Sequence, residues 1–76
     1  MSIVSRDEKL QAIAANLKVL RALLARSAKL SAEACVLLEA GELNGAIGNV
    51  LGLEETLNDA KALFGTALLL HRLKVD

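Results

Sequence analysis

Two runs of apolar residues, each repeating at steps of three and four, constrain this chain more than any other feature. In the first, Leu10, Ile13, Leu17, Leu20 and Leu24 follow one helical face, and the stripe continues through Ser27, Ala28, Ser31, Cys35 and Leu38. In the second, Ala46, Val50, Leu53, Leu57, Ala60, Phe64, Ala67 and His71 repeat the spacing. Alternating steps of three and four return a side chain to one side of an α-helix and do not fit a strand, whose period is two. Composition agrees. Thirteen alanines and 17 leucines stand against ten Val, Ile and Thr together, and no proline interrupts either run, so intrinsic propensity favours helix throughout. The chain reads as all-α.

Start and stop signals divide it. Ser5, Arg6, Asp7 and Glu8 fit a capping box, with the Ser5 hydroxyl on the Glu8 amide and the Glu8 carboxylate reaching back. Gly41 follows Glu39 and Ala40 where a helix ends most easily in a left-handed residue. The sequence therefore predicts a single helical domain, with helices over about residues 5–40 and 43–74 and a turn near Gly41: a long antiparallel helical hairpin. A break at Ser27 and Ser31, with Ser31 capping a short helix, gives a competing three-helix arrangement. Residues 41–52 also have a competing reading as a loop. The segment Ala40, Gly41, Glu42, Leu43, Asn44, Gly45, Ala46, Ile47 resembles the inter-helix turn of a tetratricopeptide repeat, in which a glycine also precedes an alanine by five residues. That resemblance covers eight of the 76 residues and implies a turn between helices, with no function attached.

Charge is balanced overall but blocked along the chain. Residues 5–30 carry six basic and two acidic groups, and residues 31–60 carry six acidic and no basic ones. An antiparallel hairpin brings these blocks side by side, which selects register more than it stabilises.

The apolar arcs are wider than one partner helix covers. Val19, Leu23, Leu30 and Leu37 broaden the first, and Leu43, Ile47, Leu63, Leu68 and Leu70 the second. Val19, Leu30 and Leu37, with Leu51 and Leu69 on the other helix, are left without partners in a lone hairpin. The expectation is that hairpins pair into a four-helix bundle, as a homodimer or as a small subunit docked on another helical protein. Leu10, Ile13, Leu17, Leu20, Leu24, Leu38, Val50, Leu53, Leu57 and Phe64 are the candidate core and interface residues. Gly45, Gly48 and Gly52 continue from Gly41 at steps of four, three and four. Each internal glycine costs a helix about 1 kcal/mol relative to alanine, and close approach of the small section of the first helix (Ser27, Ser31, Ala34, Cys35) is the expected compensation.

Residues able to carry chemistry are few. Cys35, the one cysteine, reads as a small buried apolar residue. His71, the one histidine, lies in no metal-binding spacing, and no serine has a recognisable base. The expectation is a non-catalytic protein with no cofactor, no metal and no small-molecule substrate. Lys18, Arg21, Arg26 and Lys29 form a basic stripe suited to a small RNA-binding regulator. Zero net charge and a lone aromatic, Phe64, argue against nucleic acid. A chaperone or subunit of a secretion apparatus is a further alternative. No run is long enough to span a bilayer. The charged start and unpaired thiol suggest the cytoplasm.

Overall fold

The structure, a computed structural model, describes residues 4–75. Helix α1 spans Arg6–Glu39 and helix α2 spans Leu43–Arg72, and the two pack along their length as a hairpin. The result is a rod of 60 × 14 × 10 Å.

The local signals form as the residue types dictate. At the start of α1 the Glu8 amide donates to Ser5 Oγ at 3.1 Å and the Ser5 amide donates to Glu8 Oε1 at 3.2 Å, completing the capping box. At its end Gly41 takes φ +79°. The Glu42 amide reaches the Leu37 carbonyl at 2.9 Å and the Gly41 amide reaches that of Leu38 at 3.0 Å. This pair of bonds is a Schellman turn, and it leaves only residues 40–42 between the helices. α1 runs unbroken through Ser27 and Ser31. Their hydroxyls donate back to the Leu23 and Ala28 carbonyls, each at 2.9 Å, instead of capping a new helix. Because α2 begins at Leu43, Gly45, Gly48 and Gly52 are helical.

Four contacts fix the register. The site of a Cβ on Gly45 lies 3.4 Å from the Leu37 side chain, and that on Gly52 lies 3.8 Å from Leu30. Asn49 donates to Glu33, and Lys9 to the Leu73 carbonyl. In each pair the residue numbers total 82, so the helices stay in step from turn to termini. At the open end Lys9 Nζ donates to the His71 carbonyl at 2.6 Å and to that of Leu73 at 2.9 Å. It satisfies orphaned groups where the α2 dipole is negative. Val4 and Val75 form a parallel backbone bridge beside it.

The seam follows a strict heptad. On α1 the residues withdrawn from solvent are Lys9, Ile13, Asn16, Leu20, Leu23, Ser27, Leu30, Ala34 and Leu37. On α2 they are Ala46, Asn49, Leu53, Thr56, Ala60, Leu63, Ala67 and Leu70, with Gly52 beside them. Alternating steps of three and four are the seam of an antiparallel coiled coil. Leu30 and Leu37, which the sequence left without partners, lie in it. Among the described residues only Ser27, Ala46, Thr56 and Ala60 are buried, and the Thr56 hydroxyl donates to the Gly52 carbonyl at 2.8 Å. Asn49 donates across the seam to the Leu30 carbonyl at 3.3 Å. The Asn16 Oδ1 is buried and accepts no hydrogen bond among the described residues.

Candidate protein-interaction face

The structure divides each apolar stripe in two. Ile13, Leu20 and Leu53 belong to the seam, whereas Leu10, Leu17, Leu24, Leu38, Val50, Leu57 and Phe64, with Leu43, remain 45–58% exposed. The exposed set is ordered at steps of seven: Leu10, Leu17, Leu24, Ser31 and Leu38 on α1, and Leu43, Val50, Leu57, Phe64 and His71 on α2. Most of these follow directly on a seam residue, about 100° further round the helix. Reversing the chain direction also reverses the sense in which residues advance round the axis. The two rows therefore point to the same side of the hairpin. The register sets Leu10 level with His71, Leu17 with Phe64, Leu24 with Leu57, Ser31 with Val50, and Leu38 with Leu43.

This face is more apolar than the seam beside it. Eight of its ten positions hold Leu, Val or Phe, whereas the eight facing pairs of the seam include Asn16, Ser27, Asn49 and Thr56 and four alanines. The rims of the face carry Ala14, Arg21, Ala28 and Cys35 along α1, and Ile47, Glu54, Lys61 and Leu68 along α2. A shallow depression bounded by Val50, Leu53, Glu54, Leu57 and Asn58 marks its α2 half.

The glycines lie elsewhere. Gly45 and Gly52 precede seam residues and so lie on the opposite side of the hairpin, where they leave room for the Leu37 and Leu30 side chains. The space beside Gly48 is open to 4 Å. The expected meeting of small residues therefore does not form in the hairpin. Leucines fill the room at Gly45 and Gly52, Ser31 and Cys35 are exposed, and Gly48 takes no part in helix packing. The burial expected of Cys35 is likewise overturned, because it sits on the rim of the apolar face and outside the heptad seam.

Lys18, Arg21, Arg26 and Lys29 are all exposed. At 100° per residue they spread over about 140° of α1. Arg21 borders the apolar face and Arg26 the glycine side. Among the described residues no group of three or more His, Cys, Asp and Glu comes together, and no helix is long and apolar enough to cross a membrane. No protein-family model, curated protein or solved structure matches the chain.

Reasoning from the sequence missed Lys9, Asn16 and Asn49 as seam residues. The seven-residue repeat that runs through these polar positions fits the adjacent track of Leu10, Leu17 and Leu24 equally well, so spacing alone does not single them out.

Proposed function

We propose that this chain is a non-catalytic assembly module whose apolar face is covered by further helices, giving a four-helix bundle. The observation that carries this reading is the inversion of polarity between seam and face. Leu17, Leu24, Leu57 and Phe64 are about half exposed, while asparagine, serine and threonine occupy the seam. Covering a half-exposed leucine completely contributes about 1 kcal/mol. Aligned rows of such residues on one face are the ordinary signature of a protein interface. The rod shape and the second heptad track beside the seam suit a helical partner in particular, since helices pack against helices through such stripes.

The test is a comparison of substitutions on the two sides of α1. Leu17→Asp or Leu24→Asp should remove association, whereas Ala22→Asp, on the far side, should leave it intact. If the face substitutions leave both the native mass and the helix content unchanged, the assembly reading fails.

A further inference from the structure

Resting on that assembly reading, we propose that the occupant of the face is a second copy of this chain, turned end over end. In this arrangement α1 lies on α1 and α2 on α2, about a twofold axis level with Leu24 and Leu57. Two independent features of the face select this arrangement: the sizes of its side chains and the placement of its charges.

Size comes first. Leu17 and Ser31 stand seven residues to either side of Leu24, and Phe64 and Val50 stand seven to either side of Leu57. An end-over-end twofold therefore lays Leu17 on Ser31 of the second copy and Phe64 on its Val50, a large side chain against a smaller one at both of these layers, while Leu24 and Leu57 meet their own copies on the axis. The depression framed by Val50, Leu53, Glu54 and Leu57 has the i, i+3, i+4, i+7 outline of a hole for a knob. Phe64 of the second copy arrives at its Val50 edge. The alternative twofold runs along the rod and keeps both turns at one end. It lays α1 on α2, setting Leu17 against Phe64 and Ser31 against Val50, so large meets large and small meets small. A core at native density does not tolerate that alternation of excess and void.

Charge selects the same solution. Glu54 lies three residues before Leu57 and Lys61 four after it, so end-over-end packing brings Glu54 beside Lys61 of the second copy, twice by symmetry. Ile47 meets Leu68 further out by the same rule. Arg21 meets Ala28, so no like charges face each other there. In the alternative arrangement Arg21 and Lys61 lie level on stacked helices and repel, again twice. Self-complementarity under a twofold is what an isologous interface requires, and a face built for an unrelated partner has no reason to possess it.

The test reads orientation directly. Spin labels are placed at residue 42 in a Cys35→Ser, Glu42→Cys variant; Glu42 makes no side-chain cap bond and lies at the turn. The end-over-end dimer separates the labels by about 45 Å, from the helical rise of 1.5 Å per residue, whereas the other twofold leaves them within about 20 Å, the width of two helices. A charge substitution gives a second readout whose sign differs between the two. Lys61→Glu should weaken the end-over-end dimer about tenfold, and Glu54→Lys with Lys61→Glu should restore it. In the alternative, Lys61→Glu removes a repulsion and tightens the dimer. A short label distance, or a tighter Lys61→Glu dimer, overturns the proposed orientation while leaving the assembly reading standing. A helical monomer at all concentrations overturns the second copy as occupant. If face substitutions are then also without effect on every association of the chain, the assembly reading falls with it.

Discussion

Four of the five glycines provide a sharp internal test, because the structure sets them in different surroundings. At Gly48 and Gly65 nothing lies within 4 Å of the position a Cβ would take, and both are helical. Gly48→Ala and Gly65→Ala should each stabilise by about 1 kcal/mol, the difference in helix propensity. The sites are about 25 Å apart along α2, so the effects should add to about 2 kcal/mol. For a chain of this size that raises Tm by about 8–16 °C. Gly41→Ala should destabilise by about 1–2 kcal/mol, because φ +79° strains any residue with a Cβ. Gly45→Ala falls between, since its new methyl would lie 3.4 Å from the end of the Leu37 side chain and gain propensity without a clash. The assay is urea and thermal unfolding followed by circular dichroism at 222 nm, at one fixed protein concentration. Destabilisation by Gly48→Ala would refute the reasoning. It would mean that another backbone lies against the glycine side, and that the covered face is not the one bearing Leu24 and Leu57.

Other substitutions test separate parts of the account. Asn16→Leu removes a buried oxygen that accepts no bond among the described residues and should raise stability in urea by about 1–3 kcal/mol; a loss of stability would show that Asn16 is satisfied in solution. Lys9→Met should cost about 1 kcal/mol and expose the end of α2 to faster amide exchange, because two carbonyls lose their donor. Leu20→Asp, in the seam, should abolish the helical signal outright, since it places a charge between α1 and α2. A fluorescent single-stranded RNA should show no binding at physiological salt. Affinity that falls with salt and with Lys18→Glu and Arg21→Glu would instead make the basic residues a nucleic-acid site.

The hairpin was legible in the sequence because its punctuation is local. Ser5 and Glu8 satisfy each other within one turn, and Gly41 can take a left-handed conformation that its neighbours avoid. Neither depends on distant residues. The split of the apolar arcs was not legible. Leu17 and Leu24 are three or four residues from Leu20 just as seam residues are, so spacing alone accommodates two adjacent heptad tracks. Hydrophobicity then points to the wrong one, since the track that α1 and α2 use against each other contains Asn16, Ser27, Asn49 and Thr56. Small and hydrogen-bonded residues suit a close two-helix seam whose hydroxyls bond their own helix, while the bulkier leucines stay outside. The glycine series misled for a related reason. Its steps match one helix face, but that face meets Leu30 and Leu37 at two positions and nothing at Gly48. Lys9 gave no sign of its role, because capping the far end of α2 depends on the register of the whole hairpin.

The central claim is that the face bearing Leu24 and Leu57 is covered by a second copy. Sedimentation equilibrium across the micromolar range, with helix content recorded on the same samples, tests it most directly. The account gives a particle of twice the 8.0 kDa chain mass, dissociating on dilution together with loss of helix. A fully helical particle of 8.0 kDa at every concentration would contradict it.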